Sequence, residues 1–137
     1  MFDLDTLYRV RDGHLDPAVV GSLAFEGSYH LKARIGAQVY LSRESLKKNL
    51  RRHPDVQLHE YLRLRIILSE GLVITDRANP KCVVVVYQAP ENSKLRYKAA
   101  VKCARGGHDL WITSFHRLAP RQTKRLLDGA QVLKKHA

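Results

Sequence analysis

The chain has 137 residues and a mass of 15.7 kDa, the size of one ordinary domain. Hydrophobic residues make up 45% and charged residues 27%, which excludes a disordered chain, and no apolar run reaches the roughly 18–20 residues that span a bilayer. The formal net charge of +11 favours a polyanionic partner, above all nucleic acid. The N-terminus lacks the pattern of a signal peptide and two cysteines make no disulfide framework, so we expect a reduced, cytoplasmic protein.

The first 37 residues are predicted to form an irregular N-terminal arm or hairpin within the same domain. Residues 1–28 carry no basic excess and contain three glycines, with a short helix favoured at Pro17–Ala24. A strand or hairpin is expected over Tyr29–Leu41, with Gly36 and Ala37 as its turn. The basic excess accumulates from Tyr29 onward.

Two helices are predicted next. Ser42 is a good N-cap for a helix that runs to Arg52, and the His53-Pro54 pair ends it, because the residue before a proline avoids the helical region. A second helix is expected over Val56–Glu70 and ends at Gly71. Its apolar residues recur at helical spacing, namely Leu58, Tyr61, Leu62 and Ile66.

After Gly71 the apolar pattern changes to a period of two, which predicts strands. The expected strands are Leu72–Arg77, Cys82–Gln88, Leu95–Ala104 and Leu110–Arg117, with turns at Ala78–Lys81 and Arg105–His108. Cys82–Gln88 is apolar on both faces and is predicted to be the central strand, with Val83, Val85, Val101 and Ile112 among the buried residues.

Pro120 then opens a predicted C-terminal helix. Its expected inward residues are Leu126, Leu127, Ala130 and Leu133. The predicted fold class is therefore α+β, with N-terminal helices packed on a four-stranded antiparallel β-sheet, a meander, followed by a C-terminal helix.

Basic residues concentrate on one predicted strand and one predicted helix. Two residues along a strand span roughly 6.6–7 Å, close to the spacing of phosphates along a single nucleic-acid strand. We therefore expect RNA backbone to be bound by Lys47, Lys48, Arg51, Arg52, Arg96, Lys98 and Arg117. A charged row on a strand also serves as a solvated sheet edge that prevents unwanted pairing.

The last strand reads Thr113-Ser114-Phe115-His116-Arg117, a composition suited to phosphate chemistry. Imidazole moves protons near pH 7, guanidinium stabilises developing phosphorane charge, and hydroxyls donate to phosphate oxygens. His53, at the end of the cationic helix, is a second candidate for proton transfer. The structural alternative is that His116 and Arg117 cap a strand end and that His53 interacts with the last helical carbonyls. No CxxC or HExxH motif occurs, so we expect no metal site and no cofactor.

The loop between the last two strands decides which candidate side chains share a sheet face. A two- or four-residue loop puts Lys98 and Lys102 with the odd-numbered residues Trp111, Thr113 and Phe115. A three- or five-residue loop moves Lys102 to the side of Ser114 and His116. A bulge at Gly106 or Gly107 switches between the two arrangements, so the sequence leaves both open.

Two features occur together in this chain: His53-Pro54 after the first cationic helix and Thr113-Ser114-Phe115 in the last strand. With Val39–Ser42 and Tyr97–Lys102, they resemble the phage-borne branch of the barnase/EndoU/colicin/RelE-like (BECR) ribonuclease superfamily over roughly residues 38–127. The resemblance implies a metal-independent endoribonuclease, toxin-like and of phage or prophage origin. Such enzymes cleave RNA by attack of the 2′-hydroxyl on the adjacent phosphorus and leave 2′,3′-cyclic phosphate ends.

Carried onto this chain, the resemblance assigns His53 as the base or acid, Lys102 as the phosphorane clamp and Ser114 as a phosphate-orienting donor. The second choices that it implies are Lys98, His116 and Arg117. The implied substrate is tRNA or mRNA, and the implied partner is a neutralising antitoxin or immunity protein. The only acids in or beside the predicted strands are Asp76 and Asp109, both near turns, so no acidic general base is evident.

A different class of function fits the same charge. The alternative is a catalytically inactive, basic module that binds nucleic acid or protein in host takeover or anti-defence, and a third hypothesis is a structural phage protein that carries this domain. The enzyme hypothesis requires His53, Lys102 and Ser114 to converge within roughly 3–4 Å of one point.

Overall fold

The computed structural model describes residues 1–34, 36–104 and 109–135. Within them the chain forms five α-helices, one 3₁₀ helix and one seven-stranded sheet, so the α+β class is confirmed. The helices are α1 Leu4–Arg11, α2 Phe25–His30, α3 Arg43–Arg52, α4 Leu64–Glu70 and α5 Pro120–Leu127, with the 3₁₀ helix at Leu58–Arg63. The strands are β1 Ala18–Ser22, β2 Gln38–Leu41, β3 Leu72–Thr75, β4 Cys82–Gln88, β5 Arg96–Cys103, β6 Leu110–Arg117 and β7 Val132–Lys134.

The sheet is larger than predicted and mixed. Its order is β1-β2-β6-β5-β4-β3-β7, and within the described residues the neighbours are antiparallel except for β2 and β6, which are parallel. The predicted meander forms the run β3-β4-β5-β6 inside this sheet, so the expectation of only four antiparallel strands was wrong. The central strand is β5, whereas the prediction gave that place to Cys82–Gln88, which is β4 beside it.

The first 37 residues contain regular elements, so the expectation of an irregular arm was wrong. The Asp3 carboxylate accepts a hydrogen bond from the Thr6 amide at 2.9 Å and caps α1, whose Leu7 and Val10 are fully buried. This segment shares the main core with the rest of the chain because these side chains pack in the same cluster as the sheet.

The expected helix at Pro17–Ala24 is instead a strand, β1, paired antiparallel with β2. Ala18 and Val20 face the core while Val19 between them is exposed, which is the two-residue period of a half-buried strand. Of the strand or hairpin expected over Tyr29–Leu41, a strand forms at Gln38–Leu41 as β2, but α2 runs to His30, so the described residues form no hairpin there. The predicted turn at Arg105–His108 lies outside the described residues.

The two central helices follow the prediction in position but not fully in form. Ser42 caps α3, its hydroxyl accepting from the Ser45 amide at 3.1 Å, and His53 is the C-cap, as predicted. The second predicted helix divides into the 3₁₀ helix and α4. Ile66 is exposed and the neighbouring Ile67 is fully buried, so this segment packs through a different face from the one that the spacing indicated.

The sheet has two differently covered faces. The main core lies on one face, and the predicted core residues Val83, Val85, Val101 and Ile112 are buried in it. On the opposite face, α5 covers β3 and β4 through the cluster Ile74, Val84, Val86 and Leu118, with Leu126 packed against it. Leu127 is 37% exposed and Leu133 belongs to β7, so these two predicted helix-core positions were wrong.

None of the described helices combines the length and the apolar composition that crossing a membrane requires.

Candidate functional site

On the sheet face opposite the main core, we call the part formed by β1, β2, β5 and β6 the open face. Side chains that are cross-strand partners point to the same side of a sheet, and the register therefore groups the open face into rows. The aromatic row contains Val19, Tyr40, Trp111 and Lys102. The middle row pairs Ser114 with Ala100, and the histidine row pairs His116 with Lys98. Apart from Ala100, these side chains are exposed or half-buried.

A β-bulge sets which residues share the open face. Ala100 pairs with Ser114, but the next residue of β5, Val101, pairs with Ile112, which makes Thr113 the extra residue on β6. Lys102 thus pairs with Trp111, as expected for a two- or four-residue loop, and still shares the face of Ser114 and His116, as expected for a three- or five-residue loop. The predicted bulge position in residues 106–107 lies outside the described residues.

Two of the candidate catalytic residues are in direct contact. The imidazole rings of His53 and His116 are stacked, with centroids 4.4 Å apart and planes at 24°. His53 comes from the end of α3 and His116 from the end of β6, opposite Lys98. The two histidines are 63 positions apart in the chain, and the fold alone brings them together.

The environment of His116 favours its neutral form. Burial lowers the pKa of His116 below its ordinary value, and the positive charges of His53 and Lys98 lower it further, against the opposing effects of the Arg117 carbonyl and Asp55. His116 Nδ1 lies 2.9 Å from the Arg117 carbonyl oxygen. Because a carbonyl only accepts, Nδ1 carries the proton, and Nε2 of the neutral ring keeps a free lone pair. Such a ring is equipped to act as a base.

Helix α3 is fixed to the edge of β6, and this contact positions His53. Beyond the short β2, three side chains of α3 pair with β6 backbone groups in place of a strand. Ser45 Oγ donates to the Ile112 carbonyl at 2.9 Å, Lys48 Nζ to the Thr113 carbonyl at 2.9 Å, and Asn49 Oδ1 accepts from the Phe115 amide at 3.2 Å. These side chains satisfy the β6 backbone groups that β2 is too short to pair with, and they hold the last turn of α3 beside His116.

Asn49 was not identified from the sequence, although it carries a detectable signal. It is 1% exposed and lies three residues after the buried Leu46, so it is a polar residue on the apolar face of an amphipathic helix. A buried polar residue in that position requires partners, and the β6 backbone provides them.

The remaining predicted catalytic residues are placed differently. Ser114 is two residues from His116 on β6, a separation of roughly 7 Å between Cα atoms, on the same face. Lys102 is four residues from Lys98 on β5, or roughly 13 Å, and therefore lies at the far side of the open face from the histidine pair. The structure thus brings together His53, His116, Lys98 and Ser114, while Lys102 does not converge with them.

Arg117 is engaged on the core side of the sheet. Its Nε and Nη2 donate to Glu60 Oε1 at 3.1 and 2.7 Å, and the Tyr97 hydroxyl donates to the same oxygen at 2.6 Å. Burial raises the pKa of Glu60, but the hydrogen bonds from Tyr97, the Gln57 amide and Arg117 outweigh it and hold the pKa below its usual range. Arg117 is therefore half of an ion pair that ties the 3₁₀ helix to the sheet, away from the open face.

The predicted helix cations line a cleft beside α3. The cleft has a volume of about 570 Å³ and is lined by Asp16, Arg43, Glu44, Lys47, Lys48, Arg51 and Arg52. Lys47, Arg51 and Arg52 are exposed, whereas Lys48 is engaged with β6. Arg43, which was not among the predicted residues, adds to the positive charge here. Arg96 is half-buried in a separate cavity that Lys94 and Arg117 also line.

Within the described residues, no group of three or more His, Cys, Asp or Glu side chains is placed to hold a metal ion. Comparison of the chain with protein-family models, with curated proteins and with solved structures gives no match. The similarity to the BECR superfamily therefore stays a prediction from the sequence motifs.

Proposed function

We propose that the protein is a metal-independent endoribonuclease that cleaves RNA on its open face by attack of the 2′-hydroxyl on the adjacent phosphorus. The observation that supports this proposal is the stacked His53–His116 pair, with Lys98 directly opposite His116. Two imidazoles in contact, one of them held neutral, are suited to remove one proton and to supply another. A toxin-like role in the cytoplasm, with tRNA or mRNA as substrate and a neutralising antitoxin or immunity protein as partner, is part of the proposal.

In the proposed reaction, His116 Nε2 takes the proton of the 2′-hydroxyl. The 2′-oxygen then bonds to phosphorus, the bond from phosphorus to the 5′-oxygen breaks, and protonated His53 gives its proton to that leaving oxygen. Lys98 stabilises the extra negative charge of the phosphorane, and Ser114 donates a hydrogen bond that orients the phosphate. This assignment makes Lys98 the clamp in place of Lys102.

The cleft beside α3 serves to bind the phosphates that flank the scissile bond. Lys47, Arg51 and Arg52 are exposed there, on the helix that ends at His53. Each phosphate contact releases counterions, and binding therefore weakens as salt concentration rises.

The test is cleavage of tRNA and of mRNA, each with excess EDTA, followed by analysis of the new ends. We expect 2′,3′-cyclic phosphate or its 3′-phosphate hydrolysis product. His53→Ala and His116→Ala should each slow cleavage by about 10²–10⁴-fold, the usual contribution of a positioned proton-transfer group. Ser114→Ala should have a smaller effect, and Lys98→Ala a larger one than Lys102→Ala. His59→Ala is the matched control, because His59 is exposed on the 3₁₀ helix and away from the open face.

Two outcomes would contradict the proposal, provided that each variant melts near the wild-type temperature. Products with 3′-hydroxyl ends, or a requirement for added Mg²⁺, would indicate metal-assisted chemistry instead. Absence of cleavage by the folded protein would favour the second candidate, an inactive basic nucleic-acid-binding module. The half-buried Tyr40 and Trp111 favour that candidate, because base stacking needs no catalytic group.

A further inference from the structure

Two aromatic side chains stand side by side on the open face. Tyr40 on β2 and Trp111 on β6 are cross-strand partners, with ring centroids 5.2 Å apart and planes at 34°. Both are half-buried, while their sequence neighbours Val39, Leu41 and Leu110 are fully buried in the main core. The alternation along the two strands therefore directs the Tyr40 and Trp111 rings away from the core.

The surroundings of the pair are suited to a nucleotide. Lys102, which is exposed, is the cross-strand partner of Trp111 on the other side and adds a cationic side chain to the same row. Val19 extends the row beyond Tyr40 with an exposed apolar surface. A flat apolar surface beside a cation matches a base with its phosphate, because every base has an apolar π-face and every nucleotide a negative charge.

We propose that Tyr40 and Trp111 stack an unpaired base of the RNA and that Lys102 binds the phosphate next to it. This inference rests on the proposed function and narrows its substrate class to RNA with single-stranded segments. A base within a duplex is stacked on its neighbours on both sides, so its face is not available to the aromatic pair.

The register also gives the distance from the stacked base to the scissile bond. Trp111 and His116 are five residues apart on β6 with one bulge between them, or roughly 13 Å between Cα atoms. The stacked base therefore belongs to a nucleotide near the scissile bond but not at it. This position gives Lys102 a role despite its distance from the histidines. Stacking is tolerant of base identity, so this contact selects strandedness rather than sequence.

The chain offers a direct probe, because Trp111 is its single tryptophan. A single-stranded 2′-O-methyl RNA, which 2′-hydroxyl attack cannot cleave, is titrated into the full chain, and binding is followed by both tryptophan fluorescence and anisotropy of the labelled strand. We expect quenching that coincides with binding of the single strand, and weaker binding without quenching for the 2′-O-methyl duplex, whose phosphates can still contact the cationic cleft. Tyr40→Ala and Trp111→Ala should weaken binding about tenfold or more, since a stacked base typically contributes that much.

Two further variants separate stacking from folding. Tyr40→Phe keeps the ring and should bind as wild type. Tyr29→Ala is the matched control, because Tyr29 is 75% exposed beside Phe25 on α2, outside the open face, and should also bind as wild type.

The outcomes distinguish this inference from the proposed function. Binding without quenching, equal affinity for strand and duplex, or unchanged affinity of both alanine variants would overturn base stacking while leaving cleavage intact. Quenching and selective binding of the single strand, together with no cleavage of ordinary RNA, would support base stacking and overturn only the proposed cleavage. Absence of binding to any strand would overturn both.

Discussion

Replacing Asn49 by alanine should weaken the attachment of α3 to β6 and with it the histidine pair. The Phe115 amide donates to Asn49 Oδ1 at 3.2 Å and would be left buried without that partner, a loss of about 1–3 kcal/mol. The Thr113 carbonyl loses a long hydrogen bond from Asn49 but keeps the one from Lys48, so this change contributes little to the destabilisation. Alanine is the better helix former by about 0.6 kcal/mol, which offsets part of the loss. The net destabilisation should be about 1–2 kcal/mol, or a melting temperature lower by about 3–7 °C for a chain of this length.

Urea unfolding and thermal melting measure this loss, with Lys47→Ala as the matched control. Lys47 lies on the same helix but is exposed, so its replacement should change stability by less than about 0.5 kcal/mol. NMR titration of His116 gives a second readout. If α3 moves away, His116 loses burial and the nearby His53 charge, and its pKa should rise toward the ordinary value. Asn49→Ala with the stability of Lys47→Ala and an unchanged His116 titration would refute the reasoning.

Three other predictions concern the core, the pH dependence and the charge. Tyr97→Phe should lower the free energy of unfolding in urea by about 1–2 kcal/mol, because the hydroxyl that donates to Glu60 is lost. Tyr61→Phe should leave stability unchanged or raise it, because the Tyr61 hydroxyl is buried with no partner among the described residues. The reverse order of the two variants would contradict these hydrogen-bond assignments. Lys98→Met should raise the pKa of His116, because it removes a neighbouring cation that disfavours imidazolium. The acidic limb of the kcat/KM profile should then move to higher pH, and an unmoved limb would mean that His116 is not the base. Arg51→Ala should reduce the slope of log affinity against log salt by about 0.7 on single-stranded RNA, and a flat dependence for the wild type would remove the phosphate-binding role.

Stability should also depend on pH through His116. Its folded pKa lies below the ordinary value of 6.5, so the unfolded chain binds more protons once the pH falls below that value. The stabilising contribution of the neutral ring is therefore complete above about pH 6.5 and is lost as the pH falls through the folded pKa. His116→Gln should make the urea midpoint less sensitive to pH in that window, and an unchanged sensitivity would contradict the burial argument.

Local signals were enough to predict several elements. The bounds of β4 and β6 and the start of α5 follow from apolar periodicity and Pro120, and Ser42 with His53-Pro54 defines both ends of α3. The helix α1 could have been found from the Asp3 cap and the spacing of its buried residues. The parallel pairing of β2 with β6 and the addition of β7 at the edge depend on contacts between distant segments, which local pattern does not encode.

The candidate site was predictable by residue type more than by arrangement. His53 and His116 were identified from their chemistry, but their stacking depends on α3 lying against the edge of β6. Lys98 could not be ranked above Lys102 because the register depends on one bulge in β6. Trp111 and Tyr40 were not identified because outward-facing aromatics and core aromatics look alike until the face of each strand is known.

The measurement that tests the central claim most directly replaces one 2′-hydroxyl. After the preferred bond in a single-stranded RNA has been mapped, a strand with a single 2′-deoxynucleotide on the 5′ side of that bond is compared with the all-ribose strand in excess EDTA. If the 2′-oxygen is the nucleophile, cleavage at that bond should stop while the strand binds with similar affinity and any neighbouring bonds are still cut. Continued cleavage at the deoxy position would contradict 2′-hydroxyl attack and the proton-transfer roles of the two histidines.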